Sequence, residues 1–254
     1  MTGMLGRIQA LALATLGEAV RSQVFVNLGL FAVLALGGAL VLDQLTLGDR
    51  GRALVDLGLA SLSMVDALLV MFMAVQTLGG EEDRRTLMTI LVRPVRRAEV
   101  LVGKFAGIVL LLGINIAGAV AVLWLGTLMS GGATPAHLLL AGLGLWLEAM
   151  VITAVTLVFC TFAGTTVAAM LGLGTYVSGL LAGELRTFAG REDAGTLGPL
   201  VSGFYYAVPN LQRLDFHAQN PTGADITWSV LYAVLYAGAA LSLACAIFER
   251  RDLR

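Results

Sequence analysis

Long apolar runs alternate with polar or charged connections along this chain. Six runs stand out, at 24–42, 57–76, 105–129, 138–160, 165–183 and 227–248. Each is close to the ~20 residues that carry a helix across the hydrocarbon core. Their residues are apolar on every side rather than along one stripe, as a lipid-solvated helix requires. The pattern predicts an all-α polytopic membrane protein, with residues 1–254 forming one transmembrane domain. Ahead of the first run, Leu5, Ile8, Ala12, Leu16 and Val20 share one helical face. That spacing predicts an amphipathic interfacial helix over 1–22. The same stretch has the Ala12-x-Ala14 look of a signal peptide, but Glu18 and Arg21 follow and a full span begins, so a retained helix is expected.

Composition sharpens this. The charged fraction is 13% where a soluble domain carries about a quarter. With 58% hydrophobic residues and a mean hydropathy of +0.87, the chain has lipid as its main solvent. Cys160 and Cys245 both sit in apolar runs without a CxxC spacing, and the only histidines are His137 and His217. Buried thiols are expected there, and no metal site. The net charge of −1 is unevenly distributed, and no nucleic-acid partner is expected.

That unevenness sets the topology. Six spans place both termini on one side of the membrane. With them lie eleven of the sixteen Lys and Arg residues: Arg7, Arg21, Arg84, Arg85, Arg93, Arg96, Arg97, Lys104, Arg250, Arg251 and Arg254. The cation-rich side is the cytoplasmic one. On the other side, Gly131–His137 is a short turn. The segment 184–226 is longer, apolar and aromatic, with Tyr205, Pro209 and Asn210 in "FYYAVPN". It reads either as short helices at the outer interface, some of them re-entrant, or as a plain loop with a small packed helix. Glycine pairs such as Gly103/Gly107 and Gly179/Gly183 fit close helix packing.

Most unusual is 80–100, between the second and third spans. Glu81, Glu82 and Asp83 open an apolar pattern of Leu87, Ile90 and Leu91, then Pro94 breaks it between Arg93 and the pair Arg96–Arg97. Acids at a helix start and Arg93 at its end suit the helix dipole, and Pro94 makes a corner. Positive-inside topology explains the arginines. It leaves the three acids unexplained, since anionic headgroups repel them, and a protein partner that reads both signs explains the whole pattern.

At this point the sequence resembles the permease subunits of ABC-2 type ABC transporters, with short six-span members of the copper-enzyme maturation and gliding-motility type the nearest in look. The resemblance rests on Gly80-Glu81, Thr86-Leu87, Pro94-Val95-Arg96-Arg97 and Leu101-Val102-Gly103-Lys104 in that order, on "VPNLQRLDF" at 208–216, and on "FERRDLR" at 248–254. Arg85 stands where the family usually has glycine. The resemblance implies a bacterial inner-membrane exporter permease that forms a homodimer and binds two copies of an ABC ATPase subunit. The contact would be a coupling helix, here Glu81, Glu82, Asp83, Arg84, Arg85, Thr86, Arg93, Pro94, Arg96 and Arg97. ATP and Mg would be bound by that partner, because this chain has no G-x-x-x-x-G-K-[ST] phosphate loop and no catalytic residue of its own is expected.

Two carboxylates fall inside spans: Asp66 and Glu148. At the bilayer centre an Asp costs about 2.5–3.5 kcal/mol on insertion scales, which marks such positions for function. Three readings fit: hydrogen bonding across helices to Ser61, Ser63, Asn115 or Thr153, lining of a cavity that touches substrate or a mechanical partner, and proton coupling. Two rival functions bear on the whole chain. One is a scaffold that transmits ATPase motion to a periplasmic partner without moving a solute. The other is an intramembrane CAAX-type protease, prompted by "EEDRR". That one fails because Arg85 comes one residue early for the Glu-Glu-x-x-x-Arg pattern and both histidines fall on the opposite side.

Overall fold

Val55, Leu59, Leu62, Asp66, Leu69 and Met73 recur at three- and four-residue spacing, and in the computed structural model they form the buried stripe of one helix, α1, from Arg50 to Arg84. Its other face is also apolar: Met64, Leu68 and Phe72 are 63%, 50% and 51% exposed. A helix that is hydrophobic all round and half-uncovered is one whose second face meets lipid or another chain. The structure describes residues 12, 13, 17, 50–84, 97–129, 138–189, 197–216 and 222–250.

After α1 come α2 (Arg97–Met129), α3 (Leu138–Phe162), α4 (Thr165–Leu180), α5 (Ala182–Ala189), α6 (Leu197–Ala207), a 3-10 turn (Leu211–Leu214) and α7 (Gly223–Arg250). No strand occurs among the described residues. Four of these helices are long and apolar enough to cross a membrane, over Val55–Ala74, Ala98–Leu128, Leu138–Phe162 and Gly223–Glu249. The run at 24–42 and most of the 1–22 segment lie outside the described residues, where only Ala12, Leu13 and Gly17 are placed, all helical.

α3 is the centre. It packs against α1, α2, α4 and α7, and its Leu147, Val151, Ile152, Ala154 and Leu157 are buried. α2 runs opposite to α1, α3 and α7, as the residues gathered at one end show. One cluster, Ala74, Leu101, Leu157, Val158 and Ala244, gathers the end where α1 and α7 finish and α2 begins. Leu59, Leu123, Leu138, Leu211 and Leu214 belong to a second, larger cluster toward the other end, where α5, α6 and the 3-10 turn sit. α7 is peripheral, with 17% of its apolar window buried.

Three local differences from expectation have physical causes. The apolar run expected to span 165–183 forms a helix only to Leu180. There Gln212 intervenes: its Nε2 donates to Leu180 O at 2.8 Å and its Oε1 accepts the Gly183 N–H at 3.0 Å, so the backbone turns into α5. The acids Glu81–Asp83 do not open a new helix. They continue α1, which passes through Gly79–Gly80 without a break; two glycines cost about 1 kcal/mol each, too little to stop a helix already propagating from the membrane. Finally, the plain-loop reading of 184–226 gives way to α5, α6 and a segment, 209–216, that folds back into the bundle. Leu211, Leu214 and Phe216 are at most 2% exposed.

Two glycines make that fold-back possible. A Cβ at Gly144 on α3 would collide with the Leu214 carbonyl oxygen. One at Gly179 on α4 would come within 2.8 Å of the Pro209 carbonyl and 2.7 Å of the Leu211 side chain.

Candidate functional site

Two polar side chains of α1, Ser63 and Asp66, find partners on three other helices. Asn115, on α2, donates its Nδ2 proton to Asp66 Oδ1 at 2.6 Å. One turn earlier on α1, Ser63 stands 2.7 Å from Tyr176 Oη on α4 and donates to Glu148 Oε1 on α3 at 3.5 Å. The result is a polar belt that ties α1 to α2, α3 and α4. Asp66, Asn115 and Glu148 are 3%, 1% and 7% exposed, so these bonds form where no bulk water competes with them.

Of the hydrogen-bonding partners expected for the two carboxylates, Asn115 and Ser63 serve. Ser61 instead donates to Gly58 O at 2.9 Å and Thr153 to Ala149 O at 2.7 Å, each back-bonding its own helix. Tyr176 is the member that sequence reasoning missed. Its signal was present: a single phenol in a helix without charged residues, between Gly172 and Gly179.

Above the belt, toward the α5–α6 end, a cavity of about 610 Å³ opens between α1, α3, α4 and the 3-10 turn. Asp56, Gln212 and Asp215 stand at its rim, and Ser63, Glu148 and Tyr176 form its floor. Asp56 and Ser63 are two turns apart on α1, about 10 Å at ~1.5 Å per residue. A separate small pocket of about 10 Å³ shares Ser63, Glu148 and Tyr176 with the cavity and is lined by Asp66.

Tyr205, Pro209 and Asn210 lie together beside this cavity rather than in it. The Asn210 N–H donates to Tyr232 Oη at 2.9 Å and its side-chain amide to Tyr205 Oη at 3.4 Å. The Arg213 guanidinium lies 5.7 Å from the Tyr232 ring centroid, and Tyr236 donates to Ala207 O at 3.2 Å. Three of these contacts, through Tyr232 and Tyr236, clasp the outer segment to α7, and the fourth, Asn210 to Tyr205, ties it to α6. Cys160 and Cys245 are free thiols, and no group of three or more His, Cys, Asp or Glu residues is placed to hold a metal among the described residues.

The described flanks of the charged segment 80–100 lie at the opposite end. α1 carries Glu81, Glu82, Asp83 and Arg84 as its last described residues, and Arg97 opens α2. Arg85, Thr86, Arg93, Pro94 and Arg96 lie outside the described residues. α1 runs ten residues beyond the apolar window that ends at Ala74, about 15 Å at ~1.5 Å per residue. The backbone of α1 therefore continues well past its own apolar window.

A bundle of apolar helices with one helix prolonged into a charged extension is the architecture of a membrane subunit. The chain belongs to the ABC-2 family of transporter proteins, whose family model matches residues 5–253. It is 29% identical over 258 residues, 87% of this chain and 90% of the relative, to a protein described as a probable ABC transporter permease, NosY, of Stutzerimonas stutzeri. Family membership makes the chain the multi-pass membrane subunit of an ABC transporter, which works with an ATPase partner.

Proposed function

We infer that this chain is the permease of an exporter complex in the bacterial inner membrane. Two copies pair, and each receives the stroke of a separate ATPase subunit through 80–100. The observation that carries this reading is the prolongation of α1. Because Glu81–Arg84 continue the same helix as the buried stripe Val55–Met73, a push on the charged turn is delivered to the polar belt through a rigid rod. Loose chain would dissipate it. ATP and Mg belong to the ATPase, and this chain contributes motion rather than chemistry. Both termini, with the charged turn, face the cytoplasm on the strength of the Lys/Arg distribution.

The clasp of Asn210, Tyr205, Arg213 and Tyr232 favours a second reading. It stiffens the far end of the bundle, as transmission of that motion to a periplasmic partner requires.

Co-purification with an ABC ATPase subunit encoded beside the chain tests the first reading. Glu82→Lys and Arg97→Glu should each weaken the complex or abolish stimulation of ATP hydrolysis. An intact complex with unchanged turnover in both variants would remove 80–100 from the coupling role.

A further inference from the structure

Asp66 has one oxygen accounted for and one not. Oδ1 accepts from Asn115 at 2.6 Å, while Oδ2 is buried and bonds to no other protein group. The residue is 3% exposed, and a polar oxygen left bare at that depth is costly. The small pocket beside the cavity is lined by Asp66 but not by Asn115, so Oδ2 is the oxygen that faces it. Ser63 of α1, Glu148 of α3 and Tyr176 of α4 bring further polar groups to the same pocket, and Val70 and Ile152 line its apolar side.

Size limits the occupant. The pocket's volume of about 10 Å³ is the room of a single water molecule, for which about 10–15 Å³ suffices. A buried water takes two to four polar partners, and Ser63, Asp66, Glu148 and Tyr176 offer them here. A metal ion is a poor match, because no group of three or more His, Cys, Asp or Glu is placed to hold one among the described residues. Hydrogen-bond accounting points the same way. Asp66 pairs with Asn115 and Glu148 with Ser63, and no hydrogen bond joins the two carboxyl groups directly. The Ser63–Glu148 contact is long, at 3.5 Å, and a carboxyl group has capacity for more than one such bond.

We propose that the small pocket binds one structural water molecule, held by Asp66 Oδ2, by Glu148 and by the Ser63–Tyr176 hydroxyl pair. The water completes the polar belt. Hydrogen bonds then run from Tyr176 on α4, through Glu148 on α3 and Asp66 on α1, to Asn115 on α2. Glu148 and Tyr176 also line the large cavity, so one end of this chain is open to water there. A proton crosses between the two carboxyl groups without another reactant: one group gives a proton to the bound water, the water gives one to the other group, and the water is regenerated. Asp66, buried as it is, thereby exchanges with the cavity. The site stands whether or not α1 carries a stroke.

The test is infrared difference spectroscopy of the purified full chain in nanodiscs, exchanged from ordinary into heavy-oxygen water. A narrow O–H stretching band from a buried water is expected, displaced by the heavy isotope. Ala149→Val on α3 and Asp66→Leu on α1 each fill the pocket and should abolish the band. Two variants on different helices keep the result from resting on the fate of one buried substitution. Ser61→Ala, whose hydroxyl bonds only its own helix, should keep the band. Ala60 lines the cavity and not the small pocket, so Ala60→Trp should keep the band and slow its isotope exchange at least tenfold. Absence of an isotope-sensitive band, its survival in both filling variants, or its loss in Ser61→Ala would overturn the water site. Exchange in Ala60→Trp as fast as in the unaltered chain would overturn the path to the cavity.

Discussion

Asn115 on α2 donates to Asp66 on α1 at 2.6 Å, and both side chains are almost wholly buried in the apolar bundle. Removing either partner alone leaves the other unsatisfied, at about 1–3 kcal/mol. Asn115→Ala should therefore lower thermal stability in detergent by that amount. The double variant Asp66→Leu with Asn115→Leu should be less destabilised than the sum of the two single leucine variants. A double-mutant cycle with no coupling would show that the pair does not hold α1 to α2.

Gly144 gives a sharper contrast. A methyl group there strikes the Leu214 carbonyl, whereas one at Gly174 on α4 meets nothing within 4 Å. Gly144→Ala should cost about 1–3 kcal/mol, because backbone rather than a pliable side chain must move. Gly174→Ala should be neutral or stabilising by up to ~1 kcal/mol through helix propensity. Paired thermal unfolding curves decide it, and equal effects would contradict the packing described.

Gln212 bridges the break between α4 and α5 with one donor and one acceptor. Gln212→Ala should release both backbone groups and raise amide exchange at Gly183 and its neighbours in α5. The membrane helices α2 and α3 should exchange as before. Gln212→Glu, which keeps the acceptor and loses the donor, should fall between the two.

The continuity of α1 through Gly79–Gly80 can be broken directly. Proline at position 80 removes a backbone donor in the helix interior, at about 3 kcal/mol or more. Gly80→Pro should uncouple ATPase stimulation while the complex still assembles, and Gly80→Ala should preserve it. Equal coupling in both variants would mean that the stroke does not travel along α1.

Much of this was legible in the sequence, and the reasons differ by element. Asp66 and Glu148 announced themselves because a carboxylate in an apolar run stands out, whether it is hydrogen-bonded across helices or lines a cavity. Their partners Asn115 and Ser63 were recognisable as polar groups on other turns of the bundle, but Ser61 and Thr153 were equal candidates until helix rotation assigned them to their own backbones. Tyr176 was hidden because a phenol is half apolar and fits a membrane helix without comment. The early end of α4 and the passage of α1 through two glycines could not be read locally. The first is set by Gln212, 32 residues beyond the carbonyl it binds, and the second by a helix whose stability comes from the packed turns that precede it. The sequence placed a charged connection at 80–100 but could not say that its acids prolong a membrane helix.

α4 has sixteen residues and joins α3 through Ala163 and Gly164 alone. At ~1.5 Å per residue it is about 24 Å long, some 6 Å short of a hydrocarbon core of about 30 Å. As the second arm of a hairpin with α3, a helix of that length would match a bilayer only where the lipid beside it thins. That hydrophobic mismatch falls on the wall of the cavity above Glu148. Longer acyl chains should strain this side of the protein first, which makes membrane thickness a control on how easily the cavity is reached from the headgroup layer.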